Sequence, residues 1–143
     1  YKNFIYTNKY STNMIDTLGS WHSIVSFRNI GGLDSLISED CVFHSPVVHA
    51  PQIGKELTIK YLSAAFKVFT NGTFGYVREV SSDNQAVLEF KFYVNDIIIN
   101  GVDIISWNAG GEIIDFKVMI RPLKAVKIIH EHMGNILALG EGN

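Results

Sequence analysis

The sequence predicts an α+β fold in which N-terminal helices pack on one face of a curved, mostly antiparallel sheet, with a further helix at the C-terminus. Apolar residues recur at helical spacing over 13–28 and 55–69, and from residue 74 to 121 the pattern becomes strand alternation broken by turn residues. The stretch Gly101 to Pro122, GVDIISWNAGGEIIDFKVMIRP, reads as a β-hairpin that turns at Asn108-Ala109-Gly110-Gly111 and carries one carboxylate, Asp103, on an apolar face.

In the first helix, Asn13 is the expected N-cap, Leu18, Trp21, Val25 and Arg28 follow at helical spacing, and Gly31-Gly32 ends the run. Leu33, Leu36 and Ile37 mark a second short helix. Cys41-Val42-Phe43-His44 is a short strand that stops at Ser45-Pro46. Residues 47–53 form a loop or short hairpin closed by Gly54. The helix at 55–69 carries Leu57, Tyr61, Ala65 and Val68 on one stripe, widened by Leu62, Phe66 and Phe69, and Asn71-Gly72 stops it. Strands are expected at about 74–80, 86–94, 97–107 and 112–121. A last helix starts at Pro122, which suits a first helical turn, and sets Leu123, Val126, Ile129 and Met133 on one face.

A two-residue turn at Asn95-Asp96 sets the register, opposing Val94 to Ile97, Phe92 to Ile99, Phe90 to Gly101 and Leu88 to Asp103. The inner face then carries Leu88, Phe90, Phe92, Ile99, Asp103, Ile105 and Trp107, and a four-residue turn at 108–111 adds Ile114, Phe116, Val118 and Ile120. Glu89, Lys91, Tyr93, Asp115, Lys117 and Arg121 fall on the outer face. One face is apolar with a single acid and the other is charged, which a slip of one residue would destroy. A buried, unpaired carboxylate is costly, so Asp103 is neutralised, paired or used. Desolvation by Leu88, Ile105 and Phe116, with no cation expected on that face, predicts a raised pKa.

At 143 residues the chain is expected to be one domain over 1–143. It is 47% hydrophobic and 18% charged, which suits a compact fold and excludes disorder. Net charge is −2 with no basic stripe, so nucleic acid and anionic membranes are not expected partners. No apolar run approaches the roughly 18 residues that span a bilayer. The stretch from Tyr1 to Asn13 lacks the apolar core of a signal peptide, and a start at Tyr1 rather than Met implies trimming. The single cysteine, Cys41, excludes an internal disulfide, reads as buried filler and fits a cytoplasmic location.

The order of these elements resembles the NTF2-like superfamily, the cone-shaped α+β fold of ketosteroid isomerases and SnoaL-type polyketide cyclases. The resemblance rests on the opening helix with Trp21, on Leu33-x-x-Leu36-Ile37-x-x-Asp40-x-Val42-Phe43 and Pro46, on Gly54, on Gly101-Val102-Asp103, and on Gly111-Glu112-Ile113. It covers a core of about 13–121, with 122–139 as a C-terminal helical extension. It implies a conical pocket between the helices and the sheet, and a homodimer through the outer sheet face. Matched to the isomerases residue by residue, Ser45 stands where they carry an aspartate base, and Trp21 where they carry a tyrosine donor. Asp103 stands where they keep a protonated aspartate, a case among the handful of well-described raised carboxyl pKa values. One match of three does not support steroid isomerisation.

The candidate catalytic residues are Asp103 and His44, the latter one residue before Ser45-Pro46 at the expected rim. His22 reaches the pocket only if the first helix turns slightly, and His49 lies in a loop. A metal site from His22, His44 and His49 with Asp103 lacks ligand spacing, so no metal is expected. Gly31-Gly32 and Gly110-Gly111 are turn residues rather than a phosphate cradle, and no cofactor is expected. The candidate ligand-binding residues are Trp21, Tyr61, Leu88, Phe90, Ile105, Trp107, Phe116 and Val118. Many hydrophobes and few polar groups imply a small, largely apolar ligand with one carbonyl or hydroxyl, and chemistry of the isomerase, cyclase or dehydratase kind. The alternative is a non-catalytic dimeric assembly module with a vestigial cavity. In either case a homodimer is expected through the outer face, where Tyr93, Val102, Ile104 and Met119 are ringed by charges.

Overall fold

Helix α1 (Thr17–Phe27) begins where the Asp16 carboxylate accepts the Gly19 N–H at 2.8 Å. The structure, a computed structural model, describes residues 15–141, with side chains described to Ala138. The expected cap Asn13 and the stretch from Tyr1 lie outside those residues. The Thr17 hydroxyl donates to the Gly111 carbonyl at 2.7 Å and ties the helix start to the last hairpin. The helix ends at Arg28 rather than at Gly31-Gly32: a left-handed backbone (φ 52°) turns the Arg28 N–H onto the carbonyls of Ile24 and Val25.

A 3-10 turn (Ile30–Gly32) and α2 (Leu33–Leu36) lead into β1 (Ile37–His44). Ile37 belongs to the strand, not the helix, and is fully buried there. Next come β2 (Gln52–Ile53), α3 (Lys55–Phe69), β3 (Gly75–Ser81), β4 (Gln85–Val94), β5 (Ile97–Trp107), β6 (Ile113–Arg121) and α4 (Leu123–Glu141). The strands form one six-stranded sheet in the order β2-β1-β6-β5-β4-β3, antiparallel except where β1 runs parallel to β6. Register shifts in the β1–β6, β3–β4 and β5–β6 pairs bend it. Among the described residues no helix is long and apolar enough to cross a membrane.

The expected β4–β5 register is the one observed. Asn95 and Asp96 both hold positive φ (48° and 63°), as a two-residue hairpin turn requires, and Leu88 opposes Asp103. The β5–β6 register holds from Asn100 to Ser106 and then shifts, so that Trp107 pairs with Ile113. Ile113 is therefore buried and Ile114 is exposed, against the expectation that Ile114 lines the inner face. Gly111 makes that turn possible: its φ is 81°, and a Cβ there would collide with the Ile15 side chain.

Two helix faces also differ from expectation. On α3, Leu62, Phe66, Val68 and Phe69 are buried as expected, joined by Thr58 and Ala64, whereas Leu57 turns outward. On α4, Ala125, Ile129 and Met133 are buried, and Leu123 is 69% exposed. Helix α4 packs on α3, β5 and β6 and covers one end of the helix–sheet layer. The core joins Trp21, Leu33, Phe43, Leu62 and Phe66 to the inner-face residues Leu88, Phe90, Phe92, Ile105 and Phe116. Cys41 is buried in it, and burial pushes its thiol up to about 11.

Candidate functional site

Between α1, α3 and the concave sheet lies a cavity lined chiefly by Trp21, Leu62, Phe66, Phe69, Phe74 and Phe116, with Tyr76 and Asp103 as its polar members beside Thr70. Its water-accessible space is about 40 Å³. That holds only a few waters. At its mouth it meets a groove of about 870 Å³ between α1 and β3, and Val25, Thr70, Phe74 and Tyr76 line both.

Asp103 is 6% exposed, near the middle of β5, opposite Leu88 on one side and Val118 on the other. Its Oδ2 accepts the Tyr76 hydroxyl at 2.6 Å, and that hydroxyl oxygen in turn accepts the Trp21 indole N–H at 3.0 Å. Burial pushes the Asp103 carboxyl up to about 7, against the opposing pull of the Tyr76 hydrogen bond. Burial likewise lifts the Tyr76 phenol well above its ordinary value, and the nearby Asp103 charge adds to this. The other polar groups lining the cavity are already spent. Trp21 donates to Tyr76, Tyr76 donates to Asp103, and the Thr70 hydroxyl donates to the Phe66 carbonyl. Oδ1 of Asp103 has no protein partner among the described residues and is not sealed from the cavity. A neutral Asp103 can therefore donate one hydrogen bond into an apolar space.

Of the residues singled out from sequence, Trp21, Asp103, Phe116 and Val118 meet at this cavity. Leu88, Phe90 and Ile105 are on the inner face as expected, but they are packed in the core and do not line it. Tyr61 packs against Phe43, with ring centroids 5.6 Å apart, and Trp107 is half-buried at the far end of β5. Neither lines the cavity. His44 is placed on the opposite side of the sheet: Phe43 turns inward, opposite Phe116, and His44 lies beside Lys117 with its Nε2 3.0 Å from the Asp115 carboxylate. His49 lines a separate groove with Lys127 and His130, beside α4. His22 stands at the mouth. Among the described residues, no three His, Cys, Asp or Glu side chains are grouped to hold a metal ion.

Tyr76 is the residue that sequence reasoning missed. It opposes Phe90, but the pairing slips between Tyr76 and Arg78, so alternation along β3 does not reveal its inward residues. Counting from the β3–β4 turn would set Tyr76 opposite Lys91, an outward residue, so no local spacing marks it as inward.

No protein-family model and no curated protein matches this chain. Among solved structures, it is similar to a steroid delta-isomerase from Pseudomonas aeruginosa, with 34% identity over 89% of this chain and 93% of that one and a TM-score of 0.83. It is also similar to an uncharacterised bacterial protein with a cystatin-like fold from Silicibacter pomeroyi (28% identity, 87% and 86% covered, TM-score 0.77). An NTF2-like protein of unknown function from Mesorhizobium loti shares the fold at 18% identity, with 74% and 88% covered and a TM-score of 0.64. The identity to the isomerase over most of both chains, together with the helices packed on a bent six-stranded sheet, shows that this chain belongs to the NTF2-like superfamily.

Proposed function

We propose that this protein binds a small, largely apolar molecule in the cavity and holds its carbonyl or hydroxyl oxygen on Asp103, as the binding half of isomerase-, cyclase- or dehydratase-type chemistry. The observation that carries this reading is the unpartnered Oδ1 of a buried carboxyl facing an apolar space. A carboxyl that is neutral below about pH 7 donates to a carbonyl oxygen, and that bond strengthens as negative charge develops on the oxygen. Likeness to a protein described as a steroid delta-isomerase supports the class of chemistry. The groove side, where Val25, Thr70, Phe74 and Tyr76 line both spaces, is the approach this reading gives to a ligand.

The narrowness of the cavity favours a second reading, a dimeric assembly module whose outer sheet face does the work. That face exposes Val87, Tyr93, Ile98 and Met119. The homodimer expected through it is compatible with either reading.

The test is ligand-induced stabilisation by apolar ketones, from terpenoid to steroid size, measured against the same skeletons lacking the oxygen. A ligand at 100 times its Kd stabilises by about 2.7 kcal/mol. The ketone should be preferred at pH 6 and the preference should fade above pH 7. Asp103→Asn, whose amide can still donate, should remove the pH dependence, and Asp103→Leu should remove the preference. If none of these skeletons stabilises the protein, the assembly reading stands instead.

A further inference from the structure

The cavity and the groove outside it differ in what they can hold. About 40 Å³ of water-accessible space inside takes a small head with one oxygen, whereas the groove between α1 and β3 offers about 870 Å³. Four residues line both spaces, so a molecule anchored at Asp103 and longer than its head continues into the groove. The wall it meets there is mixed, with Val77 on the apolar side and Ser26 and Arg28 on the polar side. The other charged groups of the groove have neighbours that answer them: His22 Nε2 lies 2.5 Å from Oε1 of Glu79, and Arg78 Nε lies 3.4 Å from Oε1 of Glu89. Arg28 is different. It is exposed, it lines the groove from the end of α1, and its guanidinium has no partner among the described residues. The bonds from its backbone N–H to the Ile24 and Val25 carbonyls fix the point at which the side chain leaves the helix.

We propose that the groove holds the tail of an elongated ligand and that Arg28 receives a carboxylate at its far end. The position of the head rests on the reading of Asp103 given above, whereas the tail site rests on the groove and on Arg28. A guanidinium presents N–H donors in a plane that matches the two oxygens of a carboxylate. The spacing sets the length of the ligand. Arg28 follows Trp21 by seven positions on α1, about 10 Å at the rise of a helix, and Trp21 reaches Asp103 through the Tyr76 hydroxyl. The carboxylate should therefore stand on the order of 10 Å from the ketone oxygen, with an apolar chain between them.

The experiment titrates the protein at pH 6 with 9-oxodecanoate, a methyl ketone that spans about this distance when extended, and with decan-2-one and decanoate as its two halves. The ketone acid should bind about tenfold more tightly than decan-2-one, the gain expected of one charge-assisted hydrogen bond. Added salt should shrink that gain. Arg28→Gln should abolish it, and Arg28→Lys, which keeps the charge without the fork, should retain part of it. Levulinate, too short to reach from Asp103 to Arg28, should show no such gain over pentan-2-one. Ketone binding with no gain from the carboxylate, or a gain that survives Arg28→Gln, would overturn the tail site and leave the Asp103 reading intact. A gain that depends on Arg28 while Asp103→Leu changes nothing would overturn the Asp103 reading and leave the tail site standing. Failure of all three decyl compounds to bind would overturn both.

Discussion

The hydroxyl of Tyr76 on β3 reaches across β4 to Oδ2 of Asp103 on β5, at 2.6 Å. The two residues do not stand on adjacent strands. Tyr76 opposes Phe90, and Asp103 opposes Leu88, so the phenol spans the inner row of the strand between them. Since the phenol oxygen is held by the Trp21 indole, the donors run in one direction, from Trp21 to Tyr76 to Asp103. The chain of donors ends on the carboxyl, and only its second oxygen is left to meet a ligand.

Removing the middle of that chain should have two effects. Tyr76→Phe takes away the hydrogen bond that favours the Asp103 carboxylate, so the carboxyl should titrate above its present value of about 7. It also leaves the Trp21 N–H without its acceptor, at a cost of about 1–3 kcal/mol. Denaturant melts across pH 5–9 should show lower stability throughout and a later end to its pH dependence. An earlier end would contradict the assigned role of the phenol.

Asp103 itself should work against folding at neutral pH. Its folded pKa of about 7 exceeds the ordinary value of 3.8, so between these limits the folded state keeps a proton that the unfolded chain has released. Stability therefore falls as pH rises from about 4 to about 7, by on the order of 4 kcal/mol from this group, and is flat above. Asp103→Asn should remove that slope, leaving stability near that of the parent at pH 4 and higher at pH 8. Urea denaturation at the two pH values measures it.

The β4–β5 hairpin is legible in the amino-acid sequence because the Asn95-Asp96 turn fixes its register, and register alone puts Asp103 inside. The cavity is less legible, for two physical reasons. Bulges break alternation, so Ile113 replaces Ile114 on the inner face and Tyr76 cannot be assigned from spacing. Local pattern also says which side of a strand is buried but not what packs there. Leu88, Phe90 and Ile105 do face inward as their spacing predicts, yet aromatic side chains fill the space above them, as Phe69 over Phe90 at 5.4 Å shows. His44 sits at a strand end, where alternation alone does not decide its face, and parallel pairing with β6 turns it outward.

Gly101 is a close-approach position. A Cβ there would collide with the Met119 carbonyl oxygen and lie 2.6 Å from the Phe90 ring, which covers the glycine across the strand pair. Gly101→Ala should destabilise by about 1–3 kcal/mol by overpacking. Gly134→Ala, within α4 and with nothing within 4 Å, should stabilise by about 0.5–1 kcal/mol. Thermal unfolding of the two variants should show opposite signs.

The outer face makes its own demand. If a second copy covers Met119 and Tyr93, light scattering at tens of micromolar should give twice the 16.0 kDa chain mass. Met119→Lys should return the monomer without unfolding it, because the side chain is half exposed in the single chain. A 16.0 kDa species in the parent would remove the dimer and leave this apolar face uncovered.

The proposed ligand contact requires Asp103 to be a buried acid that holds its proton near neutrality. Carbon-13 NMR of the aspartate carboxyl carbons, with Asp103→Asn to identify the signal, reads this group directly. One carboxyl should titrate near pH 7 and vanish in the variant. An Asp103 signal titrating near the ordinary value of 3.8 would contradict the role assigned to it.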